Sequence, residues 1–165
     1  HAPTHNHVRH RLRLKWPNDI LAGSAKLGGI LVESSGFGGT AVAALGIGID
    51  IAAAPALPDR PAACLNDIAG IAIAPGDLLA AIDARLQYWL TAWHAGRNFE
   101  AIRAAWLDRA GSIGEPVTVH AGNRLVCGTF AGLATDGALL VHDQQGHVER
   151  FTTGDVSLGA IGSND

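Results

Sequence analysis

A regular alternation of apolar and polar positions begins near residue 12. Across residues 12–16, leucine and tryptophan alternate with arginine and lysine. A period of two places the apolar side chains on one side of an extended segment, which predicts a strand with one buried face. Pro17 ends this strand because proline has no N–H to donate to a sheet, and Asn18-Asp19 is typical of a turn.

Two more strands are predicted after a second turn at residues 22–24. Residues 26–33 are largely apolar and predict a strand antiparallel to the first, because the connecting segment is short. Residues 34–39, rich in serine and glycine, predict a loop. The long apolar run at residues 40–51 predicts a third strand that is buried on both faces.

The middle of the chain changes to a helical period. Residues 52–74 predict mostly loop, and Pro75 is suited to the first turn of a helix over about residues 77–95. The apolar residues that share one face of this helix are Leu78, Ile82, Leu86, Trp89, Leu90 and Trp93. A second amphipathic helix is predicted over about residues 99–110, with Gly111 as its stop signal.

The last third of the chain predicts a separate, small β domain. Short apolar segments alternate with glycine-containing turns, at residues 117–119, 125–130, 138–141 and 148–151. This spacing is typical of a small barrel. We therefore predict an α+β protein, with a mixed or antiparallel sheet and packed helices in residues 1–112 and a small β-barrel domain in residues 113–165.

Composition and charge exclude several classes of protein. The 165 residues are 48% hydrophobic and 16% charged, which is typical of globular sequence. The net charge of -3 gives no electrostatic footprint for nucleic acid. The sequence contains neither a membrane-spanning apolar run nor a signal-peptide pattern, so we expect a cytoplasmic protein without a membrane partner. Cys64 and Cys127 are expected to be reduced thiols.

Residues with binding chemistry concentrate around the first turns. Lys26 begins an apolar strand, where a lysine is expected to face a pocket or the solvent edge, and it can serve as a point charge for a phosphate or carboxylate. Asp19 could hold a magnesium ion. Glycines at 28–29 and at 46 and 48 indicate close approach of either a ligand or another backbone. By themselves the glycines do not decide between these alternatives.

These motifs occur in a specific order. KWPND at residues 15–19, KLGGIL at 26–31 and GIGID at 46–50 resemble the core of biotin protein ligases. Toward the C-terminus, FxxIRxxWL at 99–107, DGALL at 136–140 and GDVSL at 154–158 are similar to the last part of the same family. The resemblance covers nearly everything from about residue 11 onward.

The resemblance implies a fold and a reaction. The fold is a class II synthetase-like ligase domain followed by a Src-homology-3-like barrel. In the reaction, the carboxylate of biotin attacks the α-phosphate of ATP, and a lysine of a biotin carboxyl carrier protein then attacks the resulting biotinyl-adenylate. Positive charge near the two reacting anions lowers the barrier to adenylate formation.

The resemblance also implies roles for particular residues. Lys26 would be catalytic and would touch both the carboxylate and the α-phosphate. ATP, Mg²⁺ and biotin would bind nearby, with Asp19 and Asp50 as metal ligands. The expected ligand-binding set is Asn18, Asp19, Gly28, Gly29, Gly48 and Asp50, in which Asn18 braces the turn and the glycines let backbone approach the ligand.

The sequence departs from the family pattern in ways that leave alternatives open. The Gly/Arg-rich loop that the family carries upstream of the first strand, where it closes over biotin, is absent from this sequence, and Asp50 stands where the family has asparagine. We expect either part of a longer ligase or a truncated homologue. A related lipoate-type ligase, and a non-catalytic module for carrier docking or homodimer formation, remain alternatives.

Overall fold

The computed structural model describes residues 12–37, 40–58 and 60–159. The chain divides into two compact units: one holds the residues up to Arg13 together with Asn18–Pro75, and the other holds Leu14–Pro17 together with the residues from Gly76 onward. The second unit therefore includes the helices that precede the barrel. The division into residues 1–112 and 113–165 stays a prediction.

The first unit is built on an antiparallel sheet with the strand order β1-β2-β3-β4. Strand β1 (Leu12–Lys15) begins in this unit and ends in the second. The other elements of the first unit are β2 (Asp19–Ala22), β3 (Ala25–Phe37), β4 (Thr40–Ile49) and the short helix α1 (Leu65–Ala69). The predicted strand at residues 12–16 is confirmed. The strand predicted at residues 26–33 is part of β3, which pairs with β2, a short strand that the pattern did not predict. Gly23 adopts a positive φ of 61°, and the chain reverses between Ala22 and Ala25.

Strands β3 and β4 form a long hairpin. The prediction of a loop over residues 34–39 was wrong for residues 34–37, which belong to β3. Ser34, Ser35 and Gly36 pair with residues of β4, and this backbone pairing overrides their low strand propensity. Residues 38 and 39 lie outside the described residues. The prediction that the third strand is buried on both faces was also wrong. Its large apolar side chains are exposed: Val42, Leu45 and Ile47.

Glycine is required where β3 and β4 come closest. A Cβ placed on Gly28 would lie 2.2 Å from the carbonyl oxygen of Gly48, far inside van der Waals contact, and the atom it meets is rigid backbone. A Cβ on Gly36, in the same strand, would meet nothing within 4 Å. The two glycines therefore have different reasons for their presence, and only the first is enforced by packing.

The second unit combines two helices with a five-stranded sheet. The helices are α2 (Pro75–Trp93) and α3 (Phe99–Leu107), close to the predicted ranges. Along α2 the predicted inward residues Leu78, Ile82, Leu86 and Trp89 are half-buried, whereas Leu90 and Trp93 are exposed. Helix α3 lies against the sheet, and the guanidinium of Arg103 donates hydrogen bonds of 2.9 and 2.7 Å to the carbonyl of Leu133.

The five strands form the predicted barrel-like sheet with the order β8-β7-β6-β5-β9. They are β5 (Pro116–Ala121), β6 (Arg124–Leu133), β7 (Leu139–Asp143), β8 (Val148–Phe151) and β9 (Asp155–Leu158). All neighbouring pairs are antiparallel. Four strands were predicted from the pattern, and β9 was not. The α+β class, an antiparallel sheet followed by a small β domain, is confirmed.

The core of the second unit includes residues from the beginning of the chain. Trp16 is packed with Val119, Phe130 and Val141, and its indole N–H donates to the carbonyl of Gly137 at 3.3 Å. Lys15 is buried beside it and donates to the carbonyl of Val156 in β9. Lys15 and Trp16 of KWPND thus stabilise the barrel, while Asn18 and Asp19 belong to the first unit.

Within the described part of the chain, no helix is long and apolar enough to cross a membrane.

We expect Gly28→Ala to lower the free energy of unfolding by about 2 kcal/mol or more, because the added methyl group forces β3 and β4 apart. Gly36→Ala is the matched control and should change stability by less than about 1 kcal/mol. Urea unfolding of both variants checks the prediction. Equal losses for the two substitutions would contradict it.

Asp136, in the turn before β7, should make the stability of the second unit fall at acidic pH. A hydrogen bond from the backbone N–H of Ala138 lowers the pKa of Asp136 below 3.8, and the Arg150 guanidinium adds to this effect. A pKa that is lower in the folded state gives stability that is present above pH 3.8 and lost as the pH falls through the folded pKa. Thermal unfolding between pH 6 and pH 3 should therefore show a smaller acid loss for Asp136→Asn than for the control Asp83→Asn.

Candidate functional site

A β-bulge brings Lys26 to the same side of the sheet as Asp19. The register of β2 and β3 runs Asp19 with Gly29, Ile20 with Gly28, and then Leu21 with Lys26, so that Leu27 is the extra residue. Residues directly opposite one another in an antiparallel pair share a face. Without the bulge, Lys26 and Gly29 would lie on opposite faces; with it, Lys26, Gly29 and Asp19 share one.

Asp19 and Lys26 form an ion pair. The Lys26 ammonium contacts Oδ1 of Asp19, and the Arg60 guanidinium lies 3.4 Å from Oδ2. The Asp19 side chain is 6% exposed, whereas those of Lys26 and Arg60 are 25% and 46% exposed. A carboxylate with so little access to water is stable only if protein groups neutralise it. Here two cations do so, one on each oxygen.

Arg60 reaches this position because its segment is fixed against β3. The N–H of Lys26 donates to the carbonyl of Pro61 at 2.9 Å, and the N–H of Ala63 donates to the carbonyl of Lys26 at 2.8 Å. These bonds make a parallel bridge between Lys26 and Ala62. The sequence prediction missed Arg60. The sequence feature that could have identified Arg60 is that it is the one basic residue between positions 52 and 74.

The glycines of the predicted site fall into two groups. Gly29 lies beside the ion pair: a Cβ there would be 3.7 Å from both the Asp19 Oδ1 and the Lys26 ammonium. Gly48 is opposite Gly29 in β4, and its nearest atom would be 4.0 Å away. These two positions leave bare backbone next to Lys26. The space at Gly28 is filled by the Gly48 carbonyl, so its geometry favours strand packing over ligand approach.

The other two predicted residues are held mainly through their backbones. The carbonyl of Asn18 accepts a 2.8 Å hydrogen bond from the N–H of Ile30, which braces the turn, and the residue itself is exposed. Asp50 follows β4; its N–H donates to Leu27 at 2.9 Å and its carbonyl accepts from Leu65 at 2.8 Å. These bonds fix the chain after Gly48.

The arrangement at Asp19 does not fit a magnesium ion well. Both carboxylate oxygens are engaged by cationic nitrogens, and a divalent ion would compete with them for the same oxygens. In residues 12–37, 40–58 and 60–159, no group of three His, Cys, Asp or Glu side chains is placed to hold a metal ion. The roles of Asp19 and Asp50 as metal ligands stay predictions.

The site can therefore do one kind of chemistry readily. Two cationic groups stand over a single buried carboxylate, so the local charge favours a further anion. The bare backbone of Gly29 and Gly48 gives such an anion access beside Lys26. This combination suits the binding of a carboxylate or a phosphate.

Comparison with known proteins identifies the family that each part of the chain matches. Residues 4–51 match the model of the biotin/lipoate A/B protein ligase family, and residues 112–159 match the model of the biotin protein ligase C-terminal domain. The first match contains the ion pair and both site glycines. The second contains the five strands of the barrel-like sheet.

Individual proteins extend the likeness along the chain. The biotin--[acetyl-CoA-carboxylase] ligase of Paracoccus denitrificans is 39% identical over 145 residues, which are 82% of this chain and 59% of that protein. The Leishmania major biotin protein ligase in complex with biotinyl-5-AMP is 26% identical, with a TM-score of 0.53 over 88% of this chain and 57% of that one.

A further solved structure supports the fold. The biotin protein ligase of Aquifex aeolicus in complex with biotin and ATP is 24% identical and has a TM-score of 0.72, over 91% of this chain and 62% of that one. The chain thus spans about three fifths of the length of these proteins. Together, the two family matches and the similarity along most of the sequence show that the chain belongs to the biotin protein ligase family.

Proposed function

We propose that this chain carries part of the active site for ATP-dependent ligation of biotin to a protein lysine, through biotinyl-adenylate. The observation that carries the proposal is the Lys26 ammonium, held beside bare glycine backbone and next to a second cation. Its relatives support the proposal: the Paracoccus denitrificans protein is a biotin--[acetyl-CoA-carboxylase] ligase, and the solved ligases hold biotin and ATP or biotinyl-5-AMP.

The first proposed step joins two anions. A carboxylate oxygen of biotin attacks the α-phosphorus of ATP, the new P–O bond forms, and pyrophosphate leaves. The ammonium of Lys26 would lie between the two reacting groups and offset their repulsion as they approach. Positive charge in a partly water-excluded position acts more strongly than it would in solution, and the Lys26 side chain is 25% exposed.

The second proposed step transfers the acyl group. A neutral lysine amine of a carboxylase's biotin carrier protein attacks the acyl carbon of the adenylate, an amide bond forms, and AMP leaves with the electron pair of the broken C–O bond. The Lys26 charge would stabilise the departing phosphate in this step also. We place the reaction in the cytoplasm, where its nucleotide substrate is made.

The remaining site residues receive roles that follow from their positions. Gly29 and Gly48 would lie under the ligand, and Asn18 would keep the turn in place. Asp19 would orient Lys26. Mg²⁺ bound by ATP would neutralise charge at the phosphates, and the Asp50 carboxylate is its candidate ligand. Gly28 would contribute indirectly, because it allows β3 and β4 to lie close together.

Lipoate is the second candidate substrate. The family model that matches residues 4–51 includes both biotin and lipoate ligases. Both acids would present the same carboxylate to Lys26, so the site described here does not discriminate between them. Pyrophosphate exchange with each acid in turn separates the two. A non-catalytic docking module would show exchange with neither.

We expect Lys26→Ala to reduce biotin-dependent exchange of labelled pyrophosphate into ATP by at least about a hundredfold, because it removes the charge that offsets two anions. Arg85→Ala, which removes an exposed cation from α2, is the control and should keep the rate. Circular dichroism should show both variants folded. Unchanged exchange in Lys26→Ala would rule out the role proposed for this lysine.

A further inference from the structure

The proposed function, on which this inference rests, asks Lys26 to do two things. In the structure its ammonium pairs with Asp19. In the proposed reaction it contacts anions of the substrates instead. Each contact that it makes with a substrate weakens its hold on a carboxylate whose side chain is 6% exposed. An uncompensated buried charge is strongly unfavourable, so Asp19 would pull Lys26 back unless another cation replaced it.

Arg60 is placed to be that cation. It lies 3.4 Å from Oδ2 of Asp19, whereas the Lys26 ammonium contacts Oδ1, and this distance leaves room for a closer approach. Its backbone neighbours are tied to Lys26 itself, through hydrogen bonds from Lys26 to Pro61 and from Ala63 to Lys26. These bonds hold the backbone beside Arg60 in place when the Lys26 side chain moves, so the guanidinium stays within reach of the carboxylate.

We propose that Arg60 is a positioning residue that holds the Asp19 carboxylate while the Lys26 ammonium turns to a bound anion. Its side chain is 46% exposed and long enough to tighten on Asp19 without any change in the backbone. The bound state would then have an Asp19–Arg60 pair and a Lys26–substrate contact. The free state has both cations on Asp19.

Removal of Lys26 imitates its departure and tests the proposal without any ligand. The coupling between Asp19 and Arg60 is measured by urea unfolding of Asp19→Asn, Arg60→Gln and the double variant, once with Lys26 present and once in a Lys26→Ala background. We expect the coupling, expressed as a factor in the unfolding equilibrium constant, to be about fivefold larger when Lys26 is absent. An equal or smaller factor overturns the proposal.

A second test measures the affinity for ATP by isothermal titration calorimetry, in variants that retain Lys26. Arg60→Gln should weaken ATP binding about tenfold, because Lys26 must then stay with Asp19. Arg60→Lys should keep binding within about threefold of the original chain. The double variant Asp19→Asn, Arg60→Gln should bind ATP more tightly than Arg60→Gln alone, because no carboxylate remains to hold Lys26.

Each alternative gives a different result. If Arg60 contacted ATP directly, Asp19→Asn would not restore binding to Arg60→Gln, and the proposal would fall. Unchanged binding in Arg60→Gln would also overturn it. If the original chain did not bind ATP, the proposed function would be contradicted, and the coupling measured in the two backgrounds would still decide the role of Arg60. Arg85→Gln serves as the matched control throughout.

Discussion

A carboxylate that is nearly closed off from water must be neutralised by its protein surroundings, and in this chain that requirement falls on Asp19. Lys26 and Arg60 satisfy it from two directions, one from the neighbouring strand and one from a loop bonded to that strand. The bulge at Leu27 and the bridge at Ala62 have a common effect: each places a cation at the same carboxylate. The local fold of the first unit is arranged around this charge.

The sequence was sufficient to locate this centre but not to describe it. KWPND and KLGGIL predicted that Asp19 and Lys26 belong to one site, and the structure brings their side chains into contact. Their direct pairing depends on a bulge, and a bulge of one residue leaves no mark in the hydrophobic pattern. Arg60 was missed because it lies in an irregular segment, where neither period nor motif indicates a partner.

The same contrast holds for the fold. Periodicity predicted α2, α3 and four of the five barrel strands, since their faces are set by local sequence. It failed for the β3–β4 hairpin, where Ser34 and Gly36 are kept in the strand by backbone pairing and not by propensity. It also placed β4 in a core. Apolar composition indicates that a strand can be buried, whereas burial depends on what else covers it.

The attachment of Lys15 to Val156 has a consequence for the biogenesis of the protein. These two residues are separated by 141 positions, and Trp16 depends on the same late-formed core. During synthesis from the N-terminus, the lysine and the indole emerge long before β9 exists to receive them. Contacts of such high sequence separation form slowly because a long chain segment must first be closed into a loop. The core of the second unit therefore cannot be completed until β9 has been synthesised.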